Sequence, residues 1–212
     1  MKAFAGLVVL GGVLVAGLAL SSSADEGTVL VAQGPYESRG GYRDGEFYVT
    51  PTGIPGWLDG VPIGAFCAEM TEGMTVGVTY NAVVNTVAIK GSAPVSDPLG
   101  LKTAWLYHQF QTGAIVLDTG AKATDFQYAI WKLEDEDTQA PAEWATIIWT
   151  PAAEAYYQMA LASTWTDIGN VRVLNLTTPD GKPIQDLIVP EPATVALLAF
   201  GCAVMLGRRR RK

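Results

Sequence analysis

Apolar and polar positions along this chain change their spacing twice. Residues 28–33, 46–50, 75–80 and 83–90 are rich in valine, threonine and tyrosine. Clusters such as Arg39-Gly40-Gly41 and Thr52-Gly53-Ile54-Pro55-Gly56 separate them. β-Branched and aromatic runs between turn residues predict short strands. Residues 61–69 predict another strand, with Cys67 near its end. From 101 to 111 the spacing becomes helical, with Leu101, Ala104, Trp105 and His108 on one side. Residues 123–135 repeat the signal more strongly through Phe126, Ala129, Ile130 and Leu133. A third helix is expected to open at Thr150-Pro151, threonine as cap and proline in the first turn, and to run through Ala155, Met159 and Ala162. Strands return at 171–176 and 184–189. Strands, then helices, then strands predict an α+β domain: a β-sandwich or barrel with a helical insertion. There is no internal repeat and no low-complexity linker.

Both ends break this pattern. Residues 1–24 hold Lys2, an apolar run over 4–20 and the small residues Ser22-Ser23-Ala24. This is the layout of a secretory signal peptide cleaved after Ala24, with an uncleaved membrane anchor as the other reading. At the far end, Val189-Pro190-Glu191-Pro192 precedes an apolar run over 193–206 and the cluster Arg208-Arg209-Arg210-Arg211-Lys212. The run is short beside the ~20 residues of a typical transmembrane helix. The basic cluster would hold its end on the cytoplasmic side. A stop-transfer tail accounts for these two parts but not for the Pro-Glu-Pro in front of them.

In its order of parts, this end resembles the PEP-CTERM sorting signal: Pro190-Glu191-Pro192, a short hydrophobic helix, a closing arginine cluster. The resemblance implies recognition by an exosortase-type membrane protease and removal of the tail. It also implies an inner-membrane-anchored intermediate, followed by delivery to the cell surface or extracellular polysaccharide of a bacterium. The membrane is then a partner only through the tail before cleavage. The expected organisation is a signal peptide at 1–24, an extracellular domain at 25–188 and the sorting signal at 189–212. The domain is long enough to bury a core of its own.

Trimming sharpens the charge. Between residues 25 and 191 there are 8 basic side chains against 21 acidic ones, a formal net charge of −13. That argues against nucleic acid and anionic membrane surfaces as partners and favours solubility outside the cell. Of the two cysteines, Cys202 lies in the tail, so Cys67 is left alone in an exported domain. A single cysteine outside the cell has no internal disulfide partner.

Phe66-Cys67-Ala68-Glu69, taken with Asp125-Phe126-Gln127-Tyr128-Ala129-Ile130-Trp131, resembles the thioester domains of bacterial surface adhesins. There an aromatic-Cys segment on an early strand faces a Gln-x-Ala-Ile-Trp segment that opens a later helix. The resemblance implies an internal thioester between Cys67 and Gln127, with Phe66, Ala129, Ile130 and Trp131 as its supporting motif. Thr103-Ala104-Trp105-Leu106-Tyr107 is similar to the family's intervening region. Phe126 stands where the family often has threonine, and Ala68 where a bulkier residue is common. Such a bond is a single-use electrophile for an amine or hydroxyl on a partner, not a turnover catalyst. Tyr128 and N–H groups at the helix start are candidate donors to the developing oxyanion.

Plainer readings stand beside it. Thr124-Asp125-Phe126-Gln127 fits a capping box, with Gln127 at its third helical position, and Cys67 fits a buried small hydrophobe. On those readings the protein is a non-covalent structural or carbohydrate-binding component of the extracellular matrix. Trp144, Trp149 and Trp165 are then its candidate sugar-facing aromatics, although core packing accounts for them as well. An extracellular cysteine hydrolase would need Cys67 and His108 together, and no signature surrounds either. Zinc does not suit one cysteine and one histidine. Glu134-Asp135-Glu136-Asp137 lacks the glycine and alternation of a calcium loop and reads as a solvated acidic turn. No metal and no cofactor is expected.

Overall fold

The computed structural model describes residues 25–35, 45–89, 97–136 and 149–192. The expected signal peptide with Ala24, Trp144, Asp137 and the hydrophobic and basic parts of the tail lie outside the described residues. No helix among them is long and apolar enough to cross a membrane.

Six strands close into a barrel: β1 (Asp25–Gln33), β2 (Phe47–Thr52), β3 (Ile63–Cys67), β4 (Thr79–Asn85), β7 (Val171–Thr177) and β8 (Pro183–Pro190). Their order around the barrel is β1-β2-β3-β8-β7-β4. Every pairing is antiparallel, including the one between β1 and β4 that closes it. A small two-stranded ladder, β5 (Val87–Ala88) with β6 (Asp97–Pro98), follows β4. Between β6 and β7 come the helices α1 (Leu101–Gln111), α2 (Gly120–Leu133) and α3 (Pro151–Leu161). Of the two architectures expected, the barrel is the one formed, and the helices are its insertion.

Strand alternation builds two apolar layers. Ile63, Ala65 and Cys67 of β3, Leu174 and Leu176 of β7, and Leu187 and Val189 of β8 fill the barrel interior. The intervening Phe66, Val173 and Ile188 face outward and pack against Leu106, Tyr107, Phe126, Ala129 and Ile130 of the helices. The helices are therefore a cover for one side of the barrel.

Three sequence expectations needed correction. The runs 75–80 and 83–90 are not two strands. Gly77 turns the chain at φ 81°, and the Tyr80 hydroxyl accepts from Thr75 N–H at 2.9 Å, folding 75–78 over the start of β4. The chain then breaks at Thr86, whose N–H donates to Asn85 Oδ1 at 2.7 Å, and β5 leaves to pair with β6. The second helix starts at Gly120, three residues before its apolar periodicity, because Thr119 caps it by accepting from Lys122 N–H at 3.3 Å. Its first turn is largely exposed, so hydrophobic spacing gives no sign of it. Finally, the acidic turn after α2 is solvated only in part: Asp135 is exposed, but its two neighbours turn inward. Glu134 accepts from Gly100 N–H at 3.2 Å at the start of α1, and buried Glu136 accepts from Met70 N–H at 3.3 Å.

Candidate functional site

The barrel wall has a gap that a side chain fills. Just past β3, Ala68 N–H points to β8 and donates to Asp186 O at 2.9 Å. Backbone groups alternate sides along a strand, so those of Cys67 point the other way, toward β2. But β2 pairs with β3 only as far as Phe47 opposite Ala65. Beyond it the chain turns at Gly45, at φ 93°, where an added Cβ would lie 3.3 Å from the Ala123 side chain of α2. The helix therefore occupies the place where β2 would have continued.

Gln127 supplies what the missing strand would have given. Cys67 N–H donates to Gln127 Oε1 at 2.9 Å, and Gln127 Nε2 donates to Cys67 O at 2.8 Å. The side-chain amide mimics a strand neighbour, and Gln127 has no solvent exposure. Unpaired, the two backbone groups would each forfeit a buried hydrogen bond. The capping-box reading of Gln127 is thus overturned. With the cap at Thr119, Gln127 stands in the second turn of α2 and its amide is engaged by Cys67. The N–H groups at the helix start are a turn away for the same reason, and the donor on Gln127 Oε1 is Cys67 N–H itself.

The flanking residues fix both partners. Phe66 sits among Phe126, Phe110 and Tyr107, with ring centroids at 4.8, 5.2 and 6.5 Å. Phe126, immediately before Gln127, thus packs on the residue immediately before Cys67. Ala129 and Ile130 lie in the same layer, whereas Trp131 reaches the barrel interior that also holds Cys67. Tyr128 stacks on Trp131 at 5.7 Å. Cys67 is buried and in no disulfide.

A titratable group lies at the other end of this wall. Glu46, just before β2, is buried, and burial pushes its carboxyl up to about 7. Gly64 permits this placement: a Cβ there would lie 2.7 Å from Glu46 Oε1. The Tyr107 hydroxyl donates to Gly64 O at 2.7 Å, and burial together with the Glu46 charge drives its own pKa upward.

The remaining sequence candidates are dispersed. His108 Nδ1 lies 3.0 Å from Asn170 Oδ1, and its ring packs on Trp165 at 4.9 Å. Trp149 donates to Glu154 Oε2 at 2.6 Å and meets the Tyr157 ring at 6.1 Å. Lys132 Nζ lies over Trp149 at 4.2 Å and Tyr157 at 5.1 Å. Sequence reading missed Glu69, Glu72 and Asp186 as a group. Each is an ordinary surface residue type, and only the fold brings 69 and 186 together.

The sorting residues join the barrel rather than hang from it. Val189 and Pro190 end β8 and are buried. Glu191 N–H donates to Asn170 O at 2.7 Å, and its carboxylate pairs with Arg172 at 2.7 Å. A family model described as the PEP-CTERM protein-sorting motif matches residues 189–212. The motif implies export, recognition by an exosortase and processing at the membrane. No curated protein and no solved structure matches the chain.

Proposed function

We propose that this exported, exosortase-sorted protein attaches covalently to an amine or hydroxyl of the cell surface or its polysaccharide through a thioester between Cys67 and Gln127. The observation behind this reading is the reciprocal pair of hydrogen bonds between the Gln127 amide and the Cys67 backbone. It holds the acyl carbon beside the residue that bears the sulfur, in a buried site, so the encounter is intramolecular. Cys67 N–H, already on Oε1, strengthens its hydrogen bond as that oxygen gains charge.

The step balances without a co-reactant. The Cys67 sulfur adds to Gln127 Cδ and a C–S bond forms. The C–N bond then breaks, and the nitrogen leaves as ammonia with the thiol proton. A partner amine or hydroxyl later takes the acyl group and returns the thiol. Each chain reacts once, so this is not an enzyme in the turnover sense.

Intact-mass measurement of the purified protein tests it. A bonded chain is lighter by one ammonia, and Cys67→Ala and Gln127→Ala each restore full mass. A wild-type chain of full mass with a titratable thiol overturns the proposal.

The same two hydrogen bonds serve an intact amide equally well, and that favours one second reading: a non-covalent matrix component on the same barrel. Its candidate binding face is the half-buried Trp149, with Tyr157 and Lys132. Retention on polysaccharide would then survive Cys67→Ala and fall with Trp149→Ala.

A further inference from the structure

Two residues beyond Cys67 lies a group of carboxylates that the thioester does not use. Glu69, Glu72 and Asp186 each bring a carboxylate oxygen within 4.8 Å of the others. Asp186, on β8, already accepts from Ile89 N–H at 2.7 Å and from Asn175 Nδ2 at 3.0 Å. Glu69 is different. It is 3 % exposed, and among the described residues no N–H or hydroxyl donor reaches either of its carboxylate oxygens, whose one side-chain hydrogen-bonding neighbour is the carboxyl of Glu72. The charged groups acting on it are Glu72, Asp186 and Glu136, all acidic.

A buried carboxylate is ordinarily satisfied by donors or by a cation. Glu69 has acidic neighbours instead, and its side chain is directed at two of them. We propose that Glu69, Glu72 and Asp186 bind a calcium ion that ties the segment following Cys67 to β8. All the ligand atoms are carboxylate oxygens, which suits a hard divalent cation and not zinc or copper. The ligands come from an irregular segment and a strand, and calcium tolerates such irregular geometry where magnesium demands a near-ideal octahedron. Export also places the domain where weak sites, with Kd of about 10⁻⁴–10⁻³ M, are of use. The alternative is a proton shared between Glu69 and Glu72, since burial, the hydrogen bond between these two side chains and the like charges raise the Glu69 carboxyl to about 10.

The site does not depend on the thioester, and a mass deficit and calcium binding can fail separately. Calorimetric titration of the full chain, purified in detergent and stripped with EDTA, tests it with calcium chloride and magnesium chloride in parallel. The expected result is one calcium per chain, bound in preference to magnesium, with a rise in unfolding temperature. Glu69→Gln should weaken calcium about tenfold or more. Glu72→Gln, at a half-buried position, should do the same and serves if Glu69→Gln does not fold. Absence of calcium binding in the wild type overturns the proposal and leaves the shared proton. Unchanged affinity in Glu72→Gln, or preference for magnesium, overturns it as well.

Discussion

Cys67 ends β3 and Glu69 lies two residues beyond it, both buried, and the protein treats them in opposite ways. Around Cys67 the polar account closes within the chain: two backbone groups meet one side-chain amide in two short hydrogen bonds. Around Glu69 it does not, for among the described residues its carboxylate meets no N–H or hydroxyl donor and faces other carboxylates. A neutral amide can stand in for a strand because its donor and acceptor match a peptide unit. A carboxylate offers only acceptors, so it needs donors, a cation or a proton. The first site is complete before any partner arrives, whereas the second calls for something from solution.

The largest expected effect lies at the closed site. Gln127→Leu keeps the volume and strips both hydrogen bonds, leaving two buried backbone groups unpaired, at a cost of about 4 kcal/mol. Cys67→Ala keeps those bonds and separates the two functional readings. With an intact amide it removes only a sulfur from the barrel interior, about 1 kcal/mol. With a thioester it also opens a cross-link between residues 60 apart, and loop entropy raises the loss to roughly 4 kcal/mol or more. Urea midpoints of the two variants measure both. A Gln127→Leu cost under about 1 kcal/mol would mean that the helix is not what closes the wall.

At the open site the sign reverses. In EDTA, Glu69→Gln should stabilise the fold by about 2 kcal/mol at pH 7, because the native state no longer has to protonate a carboxyl that ionises freely when unfolded. With millimolar calcium the same substitution should destabilise relative to wild type. Thermal unfolding of both proteins in both buffers gives the comparison. Equal midpoints in EDTA would place the Glu69 carboxylate in contact with water.

Much of this was legible beforehand, and the failures are instructive. The returning strand runs at 171–176 and 184–189 located the last two barrel strands, which are buried on both faces, between barrel interior and helix layer. The spacing of Phe126, Ala129 and Ile130 located the core face of α2. The Cys67–Gln127 juxtaposition came only through a family resemblance, because residues 60 apart leave no periodic trace. Apolar spacing was silent on the Thr119 cap, and a β-prone composition over 75–80 concealed the turn at Gly77. Glu134 and Glu136 read as solvated because charge predicts exposure until the fold supplies N–H donors, here from Gly100 and Met70.

A smaller effect belongs to the carboxyls between these extremes. Glu46 and Glu134 are both raised to about 7 by burial, although Glu134 also has the Gly100 N–H. Raised native pKa values favour the protonated form, so their stabilisation is complete below about pH 4.5 and is lost as pH rises to about 7. Beyond the Glu69 contribution, these two groups should lower stability by about 2 kcal/mol between pH 5 and pH 8, and Glu46→Gln should flatten part of that slope. Urea midpoints across the range measure it. A fold that gains stability over this interval would show that donors, not desolvation, govern these groups.

The smallest effect tests where α2 begins, and the closed site depends on the answer. Thr119→Ala removes the acceptor for Lys122 N–H and should cost about 1 kcal/mol. Hydrogen exchange should quicken at Lys122 while the Cys67 N–H stays protected, because Gln127 lies in the second turn, beyond the reach of end fraying. If Thr119→Ala were silent and the helix started at Thr124, Gln127 would return to the third helical position and its amide would turn back toward its own cap. Cys67 N–H would then exchange freely, and the contact on which covalent attachment rests would not exist.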